Sequence, residues 1–179
     1  MHTIRILVSI LVLSSLFALT GFAQNKYVGA KFCAACHKSG KGGNAYAVWE
    51  KSAHAKAFET LKGDKAKKIA QEKGLKTPPH ESPECLKCHV PGGGTAKNVE
   101  STFKKEEGVT CEVCHGAASG YKIVHNKGDV EKSKAAGLVE GDKTGKVCLG
   151  CHNSESPTAK EFIFKDKWAL IEHKLPPKK

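Results

Sequence analysis

Eight cysteines fall into four copies of one word: Cys33-Ala34-Ala35-Cys36-His37, Cys85-Leu86-Lys87-Cys88-His89, Cys111-Glu112-Val113-Cys114-His115 and Cys148-Leu149-Gly150-Cys151-His152. Each reads C-x-x-C-H, the pattern by which a chain attaches haem covalently. Two thiols separated by two residues on a helical turn reach the two vinyl groups on one side of a porphyrin and become thioethers. The histidine that follows is carried beneath the iron as an axial ligand. Disulfides in an exported chain, or zinc held by C-x-x-C pairs, would use the cysteines. Neither requires a histidine directly after every second one. The words predict four c-type haems, with His37, His89, His115 and His152 as proximal ligands.

Each iron has a second axial position. Met1 is the single methionine and belongs to the leader, so histidine–methionine ligation is excluded for the mature chain. Four histidines are left for four positions: His54, His80, His125 and His173. That match points to largely bis-histidine, low-potential haems. His54 lies in a helical stretch, Ala45–Leu61, on the side shared with Phe58 and Leu61. His173 lies near the end of a second helical stretch, Asp166–Lys174, stopped by Pro176-Pro177. His125 falls in a loop after the third motif. His80 follows Pro78-Pro79, five residues before Cys85, and reads equally as a distal ligand of the second haem or as an exposed loop residue.

The elements that must position these groups are short. Asp64–Lys73 reads as a charged surface helix capped by Asp64 and stopped by Gly74. Val130–Ala136 reads as another, started by Asp129. Pro91-Gly92-Gly93-Gly94 is a loop in which backbone can pass close to a flat ring. Large apolar residues are few and strand signals scarce. The expected fold is mainly α: short helices and loops wrapped around four covalently bound haems, with little or no sheet. So little protein per ring cannot insulate the rings from one another, so they are expected to pack closely.

The leader reads as a secretory signal peptide over residues 1–23: a basic start, an apolar run from Ile6 to Leu19, and small residues Gly21 and Ala23 at the exit. The run is shorter than the ~20 residues of a membrane-spanning helix. Residues 24–179 are then a single domain, periplasmic or otherwise exported, with membrane association at most peripheral. Formal net charge is +11, and every basic residue after Arg5 is lysine. Without the forked contacts of arginine, base-specific nucleic-acid reading is excluded. The lysine excess offsets haem propionates and suits redox protein partners with acidic docking surfaces.

Together with their flanks, these motifs resemble the tetrahaem cytochrome c-554 family, periplasmic electron carriers first associated with ammonia oxidisers. The likeness is carried by Cys33–His37 with Trp49-Glu50-Lys51-Ser52-Ala53-His54-Ala55-Lys56-Ala57, by Cys85–Val90, by Gly108-Val109-Thr110-Cys111 through Gly116, and by Cys148–His152 with His173. The resemblance implies stacked and perpendicular haem pairs. It implies that His125 completes the first haem with His37, His54 the third with His115, and His173 the fourth with His152. It also implies a five-coordinate second haem on His89 alone. Two features depart from the family: His80 stands near that second haem, and the stretch between His152 and His173 is short.

Three functions fit these readings. The first is an electron carrier between redox partners, with no catalytic residues. The second is a small nitrogen-oxide reductase at an open second haem, with Lys87 or Glu84 as its proton donor or acceptor. The third is a subunit of a multihaem filament. The carrier needs least beyond what the sequence displays.

Overall fold

Frequent glycines and prolines keep every regular element short. The computed structural model describes residues 24–38 and 43–174. The signal-peptide reading of 1–23, most of the glycine-rich loop after the first motif, and Pro176-Pro177 lie outside the described residues. Helix α1 spans Ala30–His37, α2 Ala45–Lys51, α3 Ala57–Thr60 and α4 Asp64–Glu72. They are followed by α5 at Pro83–His89, α6 at Cys111–His115, α7 at Lys122–Asn126, α8 at Val130–Ala135 and α9 at Phe164–Trp168. Among the described residues, β structure amounts to one isolated parallel bridge between Tyr27 and Val99. The mainly α expectation holds.

Three motifs sit on α1, α5 and α6, and the fourth opens on a 3-10 turn at Cys148–Gly150. α5 shows why such a short helix forms at all. Pro83 has its φ pre-set for the first turn and needs no N–H partner there, Glu84 complements the helix dipole, and extended Val90 ends the helix. α4 and α8 follow expectation, with Gly74 at φ 66° after the first and the Asp129 carboxylate accepting from the Lys132 N–H at 3.0 Å before the second. Asp64 itself is not the cap. Gly63 takes that position, and Asp64 pairs with Lys67 at 2.9 Å inside the first turn.

Three expectations about elements change. The Ala45–Leu61 stretch is not one helix. At Ser52 the backbone is extended, with ψ 163°, and the Ser52 hydroxyl donates to the Trp49 carbonyl at 2.7 Å, a local bond that competes with the helical ladder. The chain resumes as a 3-10 turn at His54–Lys56 and then α3. His125 lies on helix α7, not in a loop, its N–H bonded to the Tyr121 carbonyl at 2.8 Å. The last helix begins earlier and ends at Trp168, so His173 lies on non-helical chain.

The apolar interior is as thin as the composition implies, and it is split. Phe58, Leu61, Leu86 and Val90 form one cluster, with Cys85 and Phe103 against it. Val28, Ala118 and Tyr121 form another, with Ala136 and Leu138. The first packs around α5, the second beside α6. Gly108 shows how tightly the entry to α6 is threaded. Its φ is 70°, and a Cβ there would lie 2.5 Å from the His54 carbonyl oxygen. Beside it the Val109 N–H bonds that same oxygen at 2.9 Å. Only glycine satisfies both the conformation and the contact.

The loop leading into the fourth motif is tied by one carboxylate. Asp142 accepts from the Thr144 N–H at 2.7 Å and hydroxyl at 2.5 Å through Oδ1, and from the Val147 N–H at 2.8 Å through Oδ2. The Thr144 bond leads, with the Val147 bond next, in holding this carboxyl down at about 2. A depressed folded-state value means that its stabilisation is complete above the ordinary carboxylate value and is lost as pH falls through the folded one. Acid titration of the melting temperature is therefore expected to show a loss between about pH 4 and about pH 2 that Asp142→Asn reduces. An identical acid limb in the variant would contradict this role.

Candidate haem centres

The histidines are brought together in pairs. His37 and His125 stack with ring centroids 5.9 Å apart and planes 11° from parallel. His115 and His173 lie 5.9 Å apart at 60°. His54 and His152 lie 6.2 Å apart at 59°. A metal–imidazole bond is about 2.0 Å long, so two imidazoles on opposite sides of one metal ion place their ring centres about 6 Å apart. All three pairs have that spacing.

These partners differ from those the resemblance implies. The His37–His125 pair agrees with it. The other two are exchanged, His54 facing His152 and His115 facing His173. The backbone gives the reason. Val109 is bonded to the His54 carbonyl, so the entry to α6 runs alongside the His54 turn. The His54 ring is directed instead toward the fourth motif. Beyond α6, the His115 carbonyl accepts from the Val139 N–H at 2.9 Å, and His173 at the C-terminal end supplies the facing ring.

Backbone carbonyls fix the tautomers. The Nδ1–H of His89 donates to the Ala57 carbonyl at 2.6 Å, that of His115 to Val139 at 3.0 Å and that of His173 to Ile171 at 3.0 Å. A carbonyl only accepts, so Nδ1 carries the proton in each and Nε2 is left with its lone pair, the arrangement expected of an oriented metal ligand. The surroundings also favour neutral rings. Burial pushes His54 and His115 below the ordinary histidine value, with His152 and His173 adding to it respectively. Burial followed by His37 lowers His125, and burial followed by Lys167 lowers His152.

His80 is placed differently. Its ring meets Phe58 edge-on at 6.5 Å, and its Nε2 lies 3.6 Å from Glu81. Among the described ring pairs no imidazole faces His89. The two groups considered for proton transfer at that haem are engaged elsewhere: Lys87 with Glu155 at 2.5 Å, and Glu84 with the Ser82 hydroxyl.

The motif cysteines adjoin across motifs. Cys33 lies beside Cys111, and Cys88 beside Cys151. Cys148 lies near Cys114. Four of the seven exposed large apolar side chains among the described residues lie within three residues of a motif cysteine or facing histidine: Phe32 before Cys33, Ile123 before His125, Leu149 inside the fourth motif and Leu170 before His173. Among the described residues no group of three or more His, Cys, Asp and Glu has metal-binding spacing. Two facing imidazoles at three of the centres and one at the second, each beside a pair of motif cysteines, match what a c-type haem requires, because the porphyrin supplies four of the iron's ligands. The residues fit the group.

Sequence reasoning missed the carbonyls of Ala57, Val139 and Ile171, which carry no side-chain signal. It also missed Glu107 and Glu112, two inward-facing acids. A charged residue at the first variable position of the third motif was the one available hint.

Comparison with known proteins points to one family. The family model described as cytochrome c554 and c-prime matches residues 32–116. Cytochrome c-554 of Nitrosomonas europaea is 35% identical over 143 residues, 75% of this chain and 56% of that protein, so the chain spans just over half the length of this curated relative. The reduced-state structure of cytochrome c554 from Nitrosomonas europaea aligns with a TM-score of 0.54 at 26% identity, covering 83% of this chain and 79% of that one.

Replacing one member of a facing pair should leave one iron short of a ligand. His54→Ala, His125→Ala and His173→Ala are each expected to convert one low-spin haem to high-spin in the oxidised protein, read by electron paramagnetic resonance. His80→Ala is expected to leave the spectrum unchanged. A new high-spin signal in His80→Ala would show that His80 reaches the second iron after all.

Proposed function

The chain belongs to the cytochrome c554 family, and from that premise we propose that it carries electrons between redox proteins outside the cytoplasm. A bound c-type haem supplies a reversible one-electron iron couple. We assign His37 with His125, His54 with His152, and His115 with His173 as the pairs that hold iron, with His89 alone on the second centre and the eight motif cysteines as tethers.

The observation that carries this reading is the order in which the attachment motifs adjoin. Helix α1, which carries Cys33, packs against α6, which carries Cys111, joining motifs one and three. Cys148 acts on Cys114, joining three and four. Cys151 lies beside Cys88, joining four and two. No motif stands apart from this series. The ion pair between Lys87 of motif two and Glu155, just beyond motif four, braces its far end.

At the second centre Lys87 and Glu84 are engaged with Glu155 and Ser82, and lysines are abundant over the chain. Partners with acidic docking faces suit such a chain, and long-range attraction of this kind speeds encounter more than it tightens the complex. Export through the signal peptide would place the chain where such partners are found and where haem attachment takes place. None of the described helices is long and apolar enough to cross a membrane.

Stopped-flow mixing with an acidic redox protein tests the reading. The second-order electron-transfer rate is expected to fall at least about tenfold between about 0.01 M and about 1 M salt, as screening shortens the reach of the lysines. A rate independent of salt would remove the docking component. Failure of the reduced chain to pass electrons to any redox protein would remove the carrier function.

A further inference from the structure

Two acids meet where the first and third motifs adjoin. Glu112 lies inside the third motif and is 2% exposed. Its carboxylate accepts from the Val28 N–H at 2.9 and 3.1 Å, from Gly29 at 2.9 Å and from Ala118 at 2.9 Å. Val28 and Gly29 immediately precede α1, which carries Cys33 and His37, while Ala118 leads toward α7 and His125. One side chain therefore joins three segments: the start of the first motif's helix, the third motif itself, and the approach to the first haem's second histidine. Glu107 flanks the same point. Its Oε2 accepts from the Ala30 N–H at 2.7 Å, and its Oε1 is buried without a partner. A Cβ on Gly29 would lie 2.8 Å from that Oε2, so the glycine is what allows the acid to approach the chain.

Every hydrogen-bond partner of Glu112 is a donor, so its cradle fits the ionised form, and protonation would cost at least one bond. With Cys33 and Cys111 serving as tethers, Tyr27 on the N-terminal segment, Tyr121 before α7 and Glu107 are the titratable groups that face it among the described residues, and Glu107 also faces Tyr46 of α2. None of these is a cation. A buried charge without a counter-charge acts over a long distance because little water screens it.

We infer that Glu112, supported by Glu107, is both the strut that sets the first motif against the third and a shared negative charge that lowers the reduction potentials of the two haems held there. The inference rests on the haem assignment above and goes beyond it by separating these two centres from the other two. Burial, partly offset by the N–H donors, pushes the Glu112 carboxyl above the ordinary carboxylate value. Loss of its proton as pH rises should therefore lower the same two potentials.

Potentiometric titration followed by electron paramagnetic resonance tests it, with signals assigned through the His125→Ala and His173→Ala variants. Glu112→Gln keeps one acceptor oxygen and removes the charge. It is expected to shift the reduction equilibrium of the first and third haems at least tenfold toward the reduced form, about 59 mV for a one-electron couple, and the fourth haem less. A purely mechanical strut would not move these two potentials selectively. Unchanged potentials, or an equal shift of every haem, in a variant with four haems attached would overturn the inference. Should Glu112→Gln fail to mature, Glu107→Gln decides, since it leaves the N–H cradle of Glu112 intact. It is expected to raise the same two potentials by less. No selective rise in Glu107→Gln, with wild-type potentials for these haems independent of pH, would overturn it equally. Wild-type protein without haem would sink the functional reading itself, whereas loaded protein with unresponsive variants sinks only this inference.

Discussion

An iron gripped from both sides needs two imidazole rings whose centres are held about 6 Å apart with both Nε2 atoms turned inward. Much of the fold can be understood as a means of meeting that requirement. In none of the three pairs do the two histidines share a helix, so each pair must be set by packing between distant segments. His37 on α1 meets His125 on α7. His54 in its 3-10 turn meets His152 beyond the fourth motif, and His115 on α6 meets His173 near the C-terminal end of the described chain. A displacement of one ångström in any partner would open the gap, so the segments between them are pinned by specific bonds: Val109 to His54, Val139 to His115, and Asp142 across its own loop. The polypeptide core is correspondingly modest, and exposed Phe32, Ile123, Leu149 and Leu170 are apolar surface that a porphyrin would cover.

Backbone groups do as much of this as side chains. Three of the histidines proposed as ligands are oriented by carbonyl oxygens, and the acid that links the first motif to the third is held by three backbone N–H groups. Such contacts tolerate sequence drift, because any residue offers a carbonyl. This is consistent with a chain that keeps the family's fold at 26% identity to the solved structure it resembles.

The centres were legible in the sequence because covalent chemistry fixes them: two sulfurs and an imidazole must follow one another at set spacing, and nothing else explains four copies. The spare histidines were legible by counting. Their partners were not, since counting says nothing of which loop returns to which motif, and here the resemblance pointed to exchanged partners for His54 and His173. Local chemistry misled at Ser52, where one hydroxyl-to-carbonyl bond breaks what reads as a continuous helix, and at His125, whose flanking residues gave no helical period long enough to detect. Glu112 was hidden for another reason. An acid within a motif reads as surface charge until its neighbours are known, and those neighbours come from residues 28, 29 and 118.

Everything in this account depends on porphyrins being joined to the chain through paired sulfurs. Intact-mass measurement of the purified, denatured protein under reducing conditions tests that most directly. The account predicts the mass of the exported chain increased by four haem groups, resistant to acid–acetone extraction. A mass equal to the bare polypeptide, or haem that extracts freely, would contradict it.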